Sequence, residues 1–224
     1  MDALLAQLPL FAALDAESSE ALRSAMREER MERGEVIFHE DDDGDRLYVV
    51  LDGKVKIYRT SPDGRENMLA VLGPGDMFGE LSLFDPRPRT ASVATVTEST
   101  LLSLAHDDLR PWLTGRPGVA AHLLQALAQR LRRTNEAMAD LVFSDVPGRV
   151  AKVLLDFGTR FGTATDEGVR VTHDLTQEEL AQLVGASRET VNKALSDFVS
   201  RGWILLEGRT VTLLDVDRLE RRAR

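Results

Sequence analysis

Residues 174–198 read DLTQEELAQLVGASRETVNKALSDF, and this stretch decides the architecture of the second half of the chain. Thr176, with Glu179 three positions later, is a capping-box pattern: hydroxyl and carboxylate each satisfy a free amide donor at a helix start. Leu180, Leu183 and Val184 then recur at helical spacing. Gly185 supplies the permissive backbone of a sharp turn. Ser187 caps a second helix whose apolar stripe is Val191, Leu195 and Phe198. Arg188, Glu189, Asn192 and Lys193 fall on the opposite side near the helix start, where a helix-turn-helix presents side chains to the major groove. Double-stranded DNA is therefore the first partner to which the sequence points.

Working outward, WILLEGRTVTLL at 203–214 is two alternating runs around Glu207-Gly208-Arg209, a hairpin placed to flank the second helix as a wing. The tail RLERRAR is expected to be a solvated, frayed end. Upstream, Ser144 or Asp145 followed by Pro147 marks a break and a new helix start, with Val150, Val153, Leu154, Phe157 and Phe161 as its core face. Thr163 to Gly168 reads as a loop. Before the break, Leu124, Leu127, Leu131, Thr134, Met138 and Leu141 step by 3 and 4 along one long helix, a heptad seam of the kind that faces a copy of itself. The alternative is a helix packed on its own neighbouring domain.

Ahead of Pro117 the period changes. After two helical stretches, Ala3–Leu8 and Ala16–Glu29, the runs VIFHE, RLYVVL, KVKIYR, NMLAVL, ASVATVT and TLLSLA alternate as strands. Asp43-Gly44, Asp52-Gly53, Pro62-Asp63-Gly64 and Gly73-Pro74-Gly75-Asp76 supply turns between them. Six strands at this spacing predict a barrel or double-sheet roll. The expected organisation is α+β: a jelly-roll domain over 1–116, a dimerisation helix over 117–144 and a winged helix-turn-helix domain over 145–224.

The formal net charge of −9 is unevenly spread. Residues 1–144 carry 16 Lys+Arg against 24 Asp+Glu, a net of −8, whereas residues 145–224 carry 12 against 13, a net of −1. The acidity belongs to the front, so the back half is free to hold a local basic face. With no cysteine, disulfides, thiolate zinc sites and cysteine-ligated clusters are excluded. His39, His106, His122 and His173 show no ligand spacing, so no metal is expected. No apolar run approaches the roughly 18 residues that span a bilayer, and the acidic start lacks a signal-peptide pattern; a cytoplasmic location is expected.

Phe78 to Thr90, FGELSLFDPRPRT, holds a candidate anion site. Gly79 lets the backbone approach a ligand, amides of a short helical turn near Glu80 point at a phosphate, Arg89 adds a forked cation and Thr90 a hydroxyl. Glu80 is suited to accept hydrogen bonds from sugar hydroxyls. Taken alone, the motif also fits a surface loop with a proline-stiffened arginine.

A roll carrying FGEL and PRT, then a heptad helix, then SRETVNK, together resembles the cyclic AMP receptor protein branch of the CRP/FNR regulators, over nearly the whole chain. The resemblance is to the actinobacterial type, through PDGREN, DMFGELS, RRTN, FSDVPGRVAK and THDLTQEELAQLVGASRETVNKAL. It implies an allosteric effector, cyclic AMP (cAMP), on Gly79, Glu80, Leu81, Arg89 and Thr90: Arg89 and Thr90 on the cyclic phosphate, Glu80 on the ribose 2′-hydroxyl. Thr134 and Asn135 match the positions that reach the adenine, Asn135 from the partner subunit of a homodimer. Relative to the enterobacterial receptor, the loop between Glu80 and Arg89 is one residue shorter, and Asn135 stands in place of serine. The resemblance further implies TGTGA-like half-sites and RNA polymerase as a partner, and no enzymatic activity.

Pairing chemistry assigns guanine to Arg188 and Lys193 and the cytosine amino group to Glu189; Ser187 and Thr190 are placed on phosphates. Lys193 replaces the arginine of the enterobacterial receptor and lacks its planar fork. The competing readings are an Arg188–Glu189 ion pair in place of base contacts, a regulator answering to haem, another metabolite or no effector, and a cyclic-nucleotide module that regulates an enzyme or channel or itself catalyses.

Overall fold

Alternation of apolar residues becomes two four-stranded antiparallel sheets in the computed structural model, which describes residues 11, 14–115 and 117–224. The expected helix Ala3–Leu8 lies outside the described residues. The first sheet has the order β1 (Arg27–Met31), β8 (Ser99–Ala105), β3 (Arg46–Asp52), β6 (Met77–Phe78). The second has β2 (Val36–Phe38), β7 (Ser92–Thr95), β4 (Val55–Thr60), β5 (Glu66–Leu72).

RLYVVL reads as nearly continuous hydrophobic sequence because β3 is buried on both faces. Tyr48 and Val50 join Val55, Ile57, Phe78, Val93 and Leu101 in one core, while Leu47, Val49 and Leu51 join a second. That second core is closed by Leu22 of α1 (Ala16–Ala25), Leu109 of α3 (His106–Gly115), and Val119 and Leu123 of α4 (Pro117–Phe143). Each such fully buried side chain contributes about 1.5–3 kcal/mol by leaving water. Between β6 and β7 lies one short helical turn, α2 (Leu81–Phe84).

The helix expected to run to Glu29 ends at Ala25, where Met26 turns extended, and Arg27–Met31 becomes β1. Pairing overrides the local pattern here: Arg27 to Met31 run antiparallel to Ser103 to Ser99 at the sheet edge, and Glu29 accepts from the Ser103 hydroxyl.

The 27-residue α4 is about 40 Å long at 1.5 Å per residue. Only its start is buried in the core. Leu124, Leu131 and Met138 are each 62% exposed and Leu141 is 58% exposed, so the heptad seam lies open in the single chain.

The chain forms two compact units, one that reaches Arg59 and resumes over Ala70–Arg133, and a second made of Thr60–Leu69 and Thr134–Arg224. The second contains α5 (Val146–Phe161), the strands β9 (Gly162–Thr165) and β10 (Gly168–Thr172), α6 (Gln177–Val184), α7 (Arg188–Ser200), β11 (Ile204–Glu207), β12 (Thr210–Leu213) and α8 (Val216–Arg222). The sheet order is β11-β12-β10-β9. The expected loop over Thr163–Gly168 is instead a hairpin, because β10 pairs with β9 on one side and β12 on the other.

The tail is also corrected: residues 218–224 are not frayed. Asp215 caps α8 through the Arg218 amide, and Leu219 is fully buried. Among the described residues, no helix is long and apolar enough to cross a membrane.

Candidate functional site

Two places in the molecule carry polar chemistry beyond what the fold requires. The first lies in the roll. Gly79 has φ +80°, and a Cβ there would fall 2.8 Å from Arg89 Nη1 and 3.0 Å from the Arg46 carbonyl oxygen. Glycine thus gives both the left-handed turn and the room for the arginine. Arg89 is 5% exposed. Its Nη1 donates to the Gly79 carbonyl at 2.9 Å, its Nη2 to the Arg46 carbonyl at 2.8 Å, and its Cζ sits 4.2 Å from the centre of the Phe38 ring. Its main chain is pinned by reciprocal bonds with the loop at Asp41 and Asp42. Nε is buried without a partner. Its side-chain hydrogen bonds go to two neutral carbonyls, while the carboxylates of Asp45, Glu80 and Asp42 act on its charge without bonding it. Burial pushes the Arg89 guanidinium down from its ordinary value. Burial first, and then the Arg89 charge, push the neighbouring His106 down, which favours a neutral ring.

Glu80 is 1% exposed. Arg130 of α4 donates to its Oε1 at 2.7 Å, while Oε2 is buried with no partner. A carboxylate oxygen in that state is a seat for a hydroxyl donor. Around these two groups lies a cleft of about 30 Å³, open at its mouth, whose walls include Phe38, Leu81, Thr90 and Arg130. The Leu83 amide donates to the Glu80 carbonyl at 3.0 Å and closes the first turn of α2. Gly79, Glu80, Leu81, Arg89 and Thr90 all line this cleft. Thr134 and Asn135 do not line the cavity; they stand exposed on the helix that carries Arg130.

Sequence reasoning missed Arg130 and Phe38. Arg130 falls on the helical pattern and was readable only as a solvated charge; its partner lies 50 residues away. Among the described residues, no group of three or more His, Cys, Asp or Glu side chains could hold a metal ion.

The second place is the helix pair α6 and α7. The Thr176–Glu179 capping box is formed in both directions, and Gly185 ends α6 at φ 70°, ψ 46°. Ser187 accepts from the Thr190 amide at 3.2 Å and shares a hydroxyl contact with Thr190 at 2.8 Å. Val191, Ala194, Leu195 and Phe198 are buried, which leaves Ser187, Arg188, Glu189, Thr190 and Lys193 exposed on one face and Asn192 half-buried. Arg188 and Glu189 form no ion pair among the described residues. Arg149 of α5 fixes the turn from behind, donating to the carbonyls of Val184 at 2.9 Å, Gly185 at 3.1 Å and Ser144 at 2.8 Å.

A polar pocket in a β-roll and a capped helix pair beside a wing define a two-module regulator, and the comparisons agree. Residues 28–114 match the cyclic nucleotide-binding domain, and residues 148–222 match the Crp-like helix-turn-helix domain. The chain belongs to the CRP/FNR family of transcription regulators. It is 56% identical, over 100% of both chains, to a CRP-like cAMP-activated global transcriptional regulator of Mycobacterium tuberculosis. It is 35% identical, over 95% of each chain, to the cyclic AMP receptor protein of Thermus thermophilus. Among solved structures, FixK2 of Bradyrhizobium japonicum aligns with a TM-score of 0.81 and 25% identity, covering 89% of this chain and 98% of that one.

Proposed function

We propose that this protein is a cAMP-responsive transcription regulator that acts on double-stranded DNA as a homodimer. The observation that carries the effector assignment is the pair of unsatisfied buried groups: Arg89 Nε without an acceptor and Glu80 Oε2 without a donor, on the walls of one cavity. A cyclic phosphate supplies the anion and a ribose hydroxyl the donor. Gly79, Leu81 and Thr90 complete the phosphate side. Thr134 and Asn135 meet the adenine, with Asn135 supplied by the partner protomer.

The open seam through Leu124, Leu131 and Met138 supports a dimer about α4, since a row of exposed leucines at heptad spacing is stable only when covered. The division into a nucleotide-binding roll (1–116), dimerisation helix (117–144) and winged helix-turn-helix domain (145–224) follows from that reading. Two recognition helices related by a two-fold axis would then enter successive major grooves, about 34 Å apart. Arg188, Glu189 and Lys193 read TGTGA-like half-sites, while Ser187 and Thr190 hold phosphates. RNA polymerase is the partner such a bound dimer would address.

Titration of a labelled palindromic operator with and without cAMP tests the proposal. The expected result is tighter operator binding with cAMP, with cAMP bound more tightly to the operator complex by the same factor. Equal operator affinity in both titrations would overturn it.

A further inference from the structure

The basic C-terminal segment, residues 218–224, has no part in the pocket or the recognition face, yet the fold holds it firmly. Leu219 is fully buried and Ala223 is nearly so. At the end of α8, Arg222 Nη2 donates to Asp145 Oδ2 at 2.6 Å. Asp145 is the N-cap of α5, and its other oxygen accepts from the Gly148 amide at 2.9 Å. One carboxylate therefore holds the first turn of α5 and the last turn of the chain together. The fit is close: a Cβ on Gly148 would lie 3.1 Å from Asp145 Oδ1, 3.3 Å from the Arg222 carbonyl oxygen and 3.5 Å from Arg222 Nη1. The Arg222 hydrogen bond, followed by the Gly148 amide, holds the Asp145 carboxyl below the usual aspartate range.

The position of this contact gives it meaning. Asp145 is two residues beyond Phe143, the end of α4, at the turn between the long helix and α5. The other side of that junction is tied by Arg149 to the Ser144 carbonyl and by Lys152 to Asp140. A residue at a helix N-cap has an extended backbone while its side chain accepts from an amide of the first turn, so it is where the chain changes direction into the helix. Asp145 has φ −73° and ψ 167°.

We propose that α8 is a clasp on the exit from the long helix. By holding Asp145, Arg222 fixes the direction in which the chain enters the DNA-reading domain, and so sets how strongly nucleotide binding is felt at the recognition helix. Arg222 is thus a positioning residue that touches neither ligand. With the clasp released, the junction samples more directions in both ligand states, and the effector discriminates between them less.

This inference rests on the regulator reading above, and one experiment separates the two. Full-length wild type, Arg222→Gln, Asp145→Asn and the double variant are compared by anisotropy of a labelled operator with and without cAMP. Asparagine caps a helix about as well as aspartate, so Asp145→Asn keeps the Gly148 bond and removes only the charge that Arg222 grips. Against an ordinary coupling of about 5- to 150-fold, each single variant is expected to lower the ratio of the two operator affinities by roughly three- to tenfold. The double variant is expected to fall no further than either single one, because the two changes break one contact. A ratio equal to wild type in both single variants, or additive losses in the double variant, overturns the clasp. If wild type itself does not respond to cAMP, the regulator reading fails first and the clasp falls with it.

Discussion

The pocket in the roll and the recognition face of α7 are both built from ionic side chains, yet they are prepared in opposite ways. Arg89 and Glu80 are buried and incompletely partnered. Arg188, Glu189 and Lys193 are exposed, on a helix whose every cap is satisfied. A small ligand offers few contacts, so each must be strong, and desolvated charges make strong ones. DNA offers a long row of charges and base edges, and solvated side chains on a rigid helix suffice to read it. The incompletely partnered charges thus lie in the roll, and the solvated ones on α7.

The largest effect expected from that contrast is at Arg89. Arg89→Gln should weaken cAMP binding on the order of 100-fold in calorimetry, since hydrogen bonds to charged groups are worth about 1.5–3 kcal/mol each. Operator binding measured without nucleotide should be unchanged. A Gln variant that binds cAMP like wild type would break the comparison. Next comes Arg188→Ala, which should cost about 1–3 kcal/mol on its cognate operator and relax discrimination at one base pair. Its effect on cAMP affinity without DNA should be nil. Uniform weakening on all sequences would instead place Arg188 on a phosphate. The smallest effect is at the scaffold: Thr176→Ala removes the capping box and should lower stability by about 1 kcal/mol. Denaturant unfolding of the full-length protein measures that loss, and unchanged stability would deny that local caps hold the helix pair.

Legibility followed the range of the interaction. The Thr176 box, the Gly185 turn, the Ser187 cap and the Asp145–Pro147 start are each completed within about four residues, and each was readable as written. Residues 27–29 read as the end of a helix because REERM has no strand signature of its own; it becomes β1 only when β8 offers an edge. The Thr163–Gly168 segment is likewise polar and short, and only β10 turns it into a strand. The arginine-rich end looked like a solvated tail because Leu219 and Ala223 are two apolar residues among charges, and their burial on the fold cannot be seen from that spacing.

The pocket divides in the same way. Gly79, Glu80, Leu81, Arg89 and Thr90 lie within twelve residues and could be named together; Arg130 and Phe38 could not. The amino-acid sequence by itself determined the caps, the turns, the alternation of the roll and the grouping of Gly79 to Thr90, because those depend on neighbours along the chain. Tertiary structure alone decided which charges lose water, that Arg130 meets Glu80, and that Arg222 meets Asp145. Burial and long-range pairing depend on partners 50 and 77 residues away, and no local pattern carries that information.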